Sequence, residues 1–205
     1  TVSFEHAAMV EPLSIAFHAI GRTCVPLGDT AVVVGAGMIG SLVIQLLKLS
    51  GCGRVIAVDL VQEKLALAGK LGADVLLKSD EVDVPREVFR LTGGQGADLA
   101  YEVVGITPTL RTAIDSLRKG GSLTMVGNLS QSVDFPLQAA VTRQLTLFGS
   151  CSSAGEYPAC LDLIAAGKVD IDSFISAVAP LSEGASWFQR LQAGEPGLMK
   201  VILRP

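Results

Sequence analysis

The sequence predicts an α/β protein built on a doubly wound, six-stranded parallel sheet of strand order 3-2-1-4-5-6. Three observations carry that expectation. Short β-branched apolar runs alternate with helix-period segments through residues 31–150. The run Ala31–Val34 leads directly into Gly35-x-Gly37-x-x-Gly40, which opens a helical pattern over Ser41–Leu49. A second apolar run, Arg54–Asp59, ends on an acid nineteen residues after Gly40.

The elements follow in order. After the first strand and helix come the strand Arg54–Asp59, a helix over Gln62–Leu71 and the short strand Asp74–Leu77, which together make a βαβαβ half. The second half has a helix near Pro85–Leu91, the turn Thr92–Gly96, the strand Asp98–Val104, a helix over Thr109–Leu117 and the strand Ser122–Val126. A helix over Pro136–Gln144 and the strand Leu145–Phe148 complete it. Right-handed crossovers then place the switch point between the first and fourth strands, where Gly35, Val104 and Val126 end their strands and line a crevice. Residues 1–30 read as a helical lead-in, with Ser3 as an N-cap and Glu11-Pro12 dividing two helices. Residues 31–150 form the sheet unit. Residues 151–205 read as a mixed segment: a helix over Glu156–Ala166, a strand over Ser173–Val178, a helix over Ser182–Ala193 and a strand over Met199–Leu203.

Composition narrows the function. With 205 residues, 49% of them hydrophobic, the chain can bury a full core. A net charge of −4 with no basic stretch gives nucleic acid nothing to bind. The apolar runs are shorter than a bilayer span, and the first residues lack a positive start followed by an apolar block, so a cytoplasmic protein without a membrane partner is expected. Cys24, Cys52, Cys151 and Cys160 are scattered without CxxC spacing, as expected of reduced structural thiols.

The glycine run has a definite chemistry. Gly35 permits the tight strand-to-helix turn, Gly37 lacks the side chain that would hold a pyrophosphate off the backbone, and Gly40 lets the helix lie close to the sheet. The helix N-terminus offers a diphosphate free N–H groups and a partial positive charge. Asp59 can accept hydrogen bonds from both adenine-ribose hydroxyls and would repel a 2′-phosphate. The pattern is a Rossmann dinucleotide fingerprint that favours NAD over NADP, although Lys64 nearby is a cation that a 2′-phosphate could use.

The resemblance of the chain goes further than the fingerprint. Glu11-Pro12 with His18-Ala19, Val34-Gly-Ala-Gly-Met-Ile-Gly40, Asp59, Lys64, Leu71-Gly-Ala73, Gly96-Ala-Asp98, Glu102-Val-Val-Gly105, Gly120-Gly121, Val126-Gly127, Gly149-Ser150 and Lys200–Pro205 resemble zinc-type medium-chain dehydrogenases. The likeness covers the whole chain in order and spacing, and is greatest to polyol dehydrogenases of the sorbitol type. It implies hydride transfer between a secondary alcohol and NAD, with a zinc ion polarising the alcohol. It also implies that the Cys, His and Glu zinc ligands belong to a catalytic domain preceding this chain, that residues 151–205 return to that domain, and that the chain alone is not catalytically competent. By the same resemblance Met38 and Ile39 lie in the phosphate and adenosine part of the site, Asp59 on the ribose, and Lys64 at the adenine or ribose edge. Val104 and Gly105 flank the pocket, and Val126, Gly127 and Asn128 reach the nicotinamide half, followed by Ser150 and Cys151. Glu11 corresponds to a glutamate near zinc and substrate. The sorbitol type carries an arginine and a tyrosine after the glycine aligned with Gly149, where this chain has Ser152 and Ser153.

Read from the residues alone, Glu11 is a carboxylate that caps the following helix and favours its dipole. Glu5, His6, Glu11 and His18 do not share one helix face, so no metal site is expected in this chain. Glu5 and His6 fall in a first helical turn, and His18 is expected beside the sheet. Two other functions remain open: a zinc-free quinone reductase using NADPH, and a non-catalytic nucleotide-binding or interaction module. A homo-oligomer is expected, because the strand Leu145–Phe148 leaves a sheet edge unpaired and the final segment would expose Phe174, Trp187, Phe188 and Leu198.

Overall fold

The computed structural model describes residues 1–205. Six parallel strands, β1 (Thr30–Val34), β2 (Arg54–Asp59), β3 (Val75–Lys78), β4 (Ala97–Glu102), β5 (Leu117–Met125) and β6 (Thr146–Gly149), form one sheet of order β3-β2-β1-β4-β5-β6. The register places Val34 opposite both Val58 and Glu102. The ends of β1, β2 and β4 are therefore level, and their following loops share one edge. Central β1 is buried on both faces, which is why its sequence is apolar without alternation. Ala31 and Val33 join a core with α2 (Val10–Gly21), α3 (Met38–Leu49) and α4 (Gln62–Lys70). Val32 and Val34 join a second core on the other face, with α5 (Val84–Leu91) and α6 (Thr107–Ser116).

The turn from β1 into α3 is set by close contact. Gly35 has φ +101°, a left-handed conformation that a side chain disfavours. A Cβ on Gly40 would lie 1.8 Å from the Gly35 carbonyl oxygen, so α3 starts almost on top of the end of β1. Strand β5 begins at Leu117 and runs through Gly120-Gly121, earlier than the expected Ser122, with a register shift opposite Ala97–Leu99. Helix α7 (Leu137–Thr142) leads to β6 at the sheet edge.

The two ends of the chain pack together. The lead-in forms α1 (Phe4–Ala7), capped by Ser3 Oγ on the His6 N–H at 3.1 Å, and then α2. The final segment forms α8 (Tyr157–Ala165), a 3-10 turn over Asp172–Phe174, β7 (Ile175–Pro180), α9 (Gly184–Gln192) and β8 (Lys200–Arg204), with β7 and β8 pairing as a separate parallel ribbon. Phe174 is fully buried in the core shared with α2 and α3, so it is not exposed as expected. Trp187 and Leu198 are half-buried, and Phe188 alone of the four stays open, 70% exposed. His18 is also placed differently. Instead of lying beside the sheet, its Nδ1 is 2.6 Å from Glu156 Oε1 in front of α8. His6 Nε2 meets Asp172 Oδ1 at 2.7 Å, and Glu5 pairs with Arg204. Gln45, buried on α3, exchanges two hydrogen bonds with the Asp170 backbone, at 3.0 and 2.8 Å.

The His18–Glu156 and Glu5–Arg204 fastenings depend on ionised carboxylates. The hydrogen bond with His18 holds Glu156 below its ordinary value of 4.5. Glu5 is lowered by its own backbone N–H and then by Arg204. A depressed carboxylate contributes stability above its unfolded pKa and loses it as pH falls through the folded value. Stability to urea should therefore hold above about pH 5 and decline as the medium is acidified below the ordinary carboxylate range near 4.5. Glu156→Gln should flatten part of that decline; an unchanged acid profile would contradict the role given to the pair.

Candidate functional site

The crevice lies where the chain turns from β1 in opposite directions across the sheet. At its floor is the α3 N-terminus, with Gly37 as N-cap at φ −66°, ψ −169° and no side-chain cap. The N–H groups of Gly37, Met38, Ile39 and Gly40 have no acceptor within the protein. A Cβ added to Gly37 would meet no atom within 4 Å. The packing constraint on Gly40 thus does not extend to Gly37, which faces open space beside four free donors. Met38 packs against the first core, and Ile39 is half-buried.

Asp59 closes β2 beside this turn. Its Oδ2 accepts from the Ala36 N–H at 2.8 Å and its Oδ1 from the Val61 N–H at 2.9 Å. The carboxylate is therefore oriented by backbone, and each oxygen retains acceptor capacity. One turn into α4, Lys64 is half-buried on a hollow of about 660 Å³, together with Val61, Leu67, Ser173, Ser176 and the 194–199 loop. That contribution of the final segment was invisible in the sequence, since it depends on Met199 and Phe174 packing onto the same core as α3.

The other rim is built from the ends of β4 and β5. Gly105, Gly127 and Asn128 line a smaller hollow of about 130 Å³ with Glu102 and residues 130–133. Val104 lies against Gly35: a Cβ there would come within 2.6 Å of Val104 Cγ2. Val126 is half-buried, and its N–H donates to the Glu102 carbonyl at 2.8 Å. At the end of β6 the Ser150 N–H donates to the Met125 carbonyl at 2.9 Å, while Ser150 Oγ is buried without a partner. Cys151 is exposed, as is Cys24, whereas Cys52 and Cys160 are buried; all four are free thiols. The expected residues thus gather on one edge but divide between two hollows, Lys64 in the larger and Gly105, Gly127 and Asn128 in the smaller. In the sequence Glu102 stands only within the motif Glu102-Val-Val-Gly105, with no role of its own, because the loops it holds meet only in the folded sheet.

Glu11 is exposed in the first turn of α2. It does not cap the helix: Met9 holds the N-cap position without a side-chain bond, and Ser14 Oγ donates to the Glu11 carbonyl. No group of three His, Cys, Asp or Glu side chains in the chain could hold a metal ion. Both histidines are engaged with carboxylates of the final segment.

A family profile described as zinc-binding dehydrogenase matches residues 39–166. A probable D-xylulose reductase A of Aspergillus clavatus is 32% identical over 201 residues, covering 95% of this chain and 56% of that protein. The crystal structure of 2R,3R-butanediol dehydrogenase from Bacillus subtilis is 31% identical, with a TM-score of 0.91 over 100% of this chain and 58% of its own. A zinc-binding dehydrogenase from Sinorhizobium meliloti 1021, crystallised bound to NADP, is 26% identical with a TM-score of 0.85, over 97% of this chain and 58% of its own. The chain spans a little over half the length of the relatives it matches.

Proposed function

The chain belongs to the zinc-binding dehydrogenase family, and on that premise we propose that it is the NAD(H)-holding part of an alcohol or polyol dehydrogenase. The observation that carries the reading is the open α3 N-terminus, where four unpaired N–H groups surround the one glycine of the fingerprint that has empty space before it. A diphosphate fits that chemistry, drawing on the free donors and on a helix dipole worth about 0.3–1 kcal/mol per charge. When bound, the nicotinamide supplies hydride transfer to or from the carbinol carbon of a secondary alcohol.

The chain's own residues then have separate tasks. Gly37, Met38, Ile39 and Gly40 donate to the diphosphate. Asp59, held by Ala36 and Val61, accepts from the ribose hydroxyls and disfavours a 2′-phosphate, while Lys64 lies in the first turn of α4, the helix that follows. Val104, Gly105, Val126, Gly127 and Asn128 bound the nicotinamide half, and the unpartnered Ser150 hydroxyl and Cys151 continue that wall. The side chains present do not assemble a zinc site, so no catalytic step is assigned to Glu11, and the 205-residue chain by itself should bind the cofactor without oxidising alcohol. The NADP-bound neighbour, with Lys64 as a cation in the first turn of α4, favours a second reading, an NADPH-using reductase.

The same titration decides between the two. By fluorescence, NADH should bind at least tenfold more tightly than NADPH, and zinc addition should restore no robust alcohol oxidation. Gly37→Ala should weaken NADH at least tenfold while leaving the urea midpoint nearly unchanged, because its Cβ meets nothing. Gly40→Ala should instead lower stability by about 1–3 kcal/mol through overpacking. Tighter NADPH binding, or NADH binding indifferent to Gly37→Ala, would contradict the proposal.

We also propose a homo-oligomer. Strand β6 has one paired edge, and Leu137 and Val141, both on α7 just before it, are each 65% exposed. Sedimentation should show association at high concentration; a clean monomer there would contradict it.

A further inference from the structure

We propose that Glu102 is a positioning residue that sets the rim of the crevice facing the nicotinamide half of the dinucleotide, an inference that rests on the dinucleotide reading above. Its side chain is nearly inaccessible, at 1% exposure, yet no ion pair of the molecule includes it. Burying a carboxylate is unfavourable unless its oxygens are satisfied. Here backbone satisfies them. Oε1 accepts from the Val104 N–H at 2.9 Å and the Gly105 N–H at 2.8 Å, and Oε2 from the Gly105 N–H at 3.0 Å. The Glu102 carbonyl meanwhile accepts from the Val126 N–H at 2.8 Å and the Gly127 N–H at 3.1 Å. One residue therefore gathers the N–H groups of both loops that leave β4 and β5.

The consequences are local. Gly105 sits at φ +88°, and a Cβ on it would come within 2.3 Å of the Asn128 N; a Cβ on Gly127 would come within 2.2 Å of the Val104 carbonyl carbon. The two loops are in backbone contact, with no slack to absorb a shift. Val104 in turn abuts Gly35. Loosening the Glu102 hydrogen bonds would thus displace Val104, Gly105, Gly127 and Asn128 together. Asp59 and Lys64, on β2 and α4, have no hydrogen bond to this assembly. The adenosine end meets this assembly only through the side-chain contact of Val104 with Gly35, next to the Ala36 N–H from which Asp59 accepts, and so should shift far less than the nicotinamide rim.

Glutamine at this position keeps the shape but replaces one acceptor by an NH2 that confronts the Gly105 donor. Aspartate keeps the charge but shortens the reach. The test is calorimetric titration of the full chain, Glu102→Gln and Glu102→Asp with NADH and with 5′-AMP, which carries the adenosine and its phosphate but no nicotinamide half. In both variants the NADH Kd should rise at least tenfold, the 5′-AMP Kd should stay within twofold, and urea unfolding should remain cooperative. NADH binding as in the unsubstituted chain, or a parallel loss of both ligands, overturns the inference. Loss of cooperative folding in both variants also overturns it, because Glu102 would then support the sheet as a whole. An unsubstituted chain that binds neither ligand overturns the dinucleotide reading itself, and the inference with it.

Discussion

The first turn of α3 rests against the end of β1 at a distance that only hydrogen on Gly40 allows, since a Cβ there would stand 1.8 Å from the Gly35 oxygen. Much of the carboxyl edge follows from that contact. It brings the helix N-terminus up to the end of β1, so that the unpaired N–H groups of the first turn lie at the carboxyl edge of the sheet. It also fixes Gly35 where Val104 can close over it, which links the turn to the opposite rim. A bulkier residue at Gly40 would push α3 outward, moving the donors and breaking the junction with β4 at once.

The rest of the molecule holds that edge in place. Alternate residues of β1 feed two separate cores, one shared with α2, α3 and the final segment, the other with α5 and α6. Residues far apart in the chain thereby support the same turn: Phe174 and Ile171 pack into the core that backs α3, and Gln45 on α3 is tied to Asp170 by two hydrogen bonds. The two histidine–carboxylate pairs add further fastening between the chain's ends. The contribution of the exposed His6–Asp172 pair is modest beside burial of Phe174, because water and salt weaken such contacts, while His18 and Glu156 are part-buried.

Local rules made the sheet legible. The strand Arg54–Asp59 was expected with the bounds the structure shows, because a strand buried on both faces is an unbroken apolar run and its acidic end is abrupt. The order of six strands followed from the alternation and from handedness. Long-range contacts were less visible. Strand β5 starts at Leu117 because its pairing with Ala97 outweighs the poor strand propensity of Gly120-Gly121. Phe174 looked exposed because the partner that buries it lies more than a hundred residues earlier, on α2 and α3. His18, expected beside the sheet, meets a carboxylate at the start of α8 instead. In the crevice, Gly35 and Gly40 could be read because each serves a local backbone need, a left-handed turn and a close approach of helix to strand, whereas the backbone hydrogen bonds that orient Asp59 appear only in the fold. Glu102 could not be read, since its value comes from two loops that only the folded sheet brings together.

The central claim is that a dinucleotide diphosphate rests on the first turn of α3. The most direct measurement is an NMR titration of the 15N-labelled chain with NADH, following the amides of Gly37, Met38, Ile39 and Gly40. The account predicts that these signals shift most strongly and saturate together with those of Asp59 and Val61. Saturable NADH binding that leaves the Gly37–Gly40 amides unmoved would contradict it.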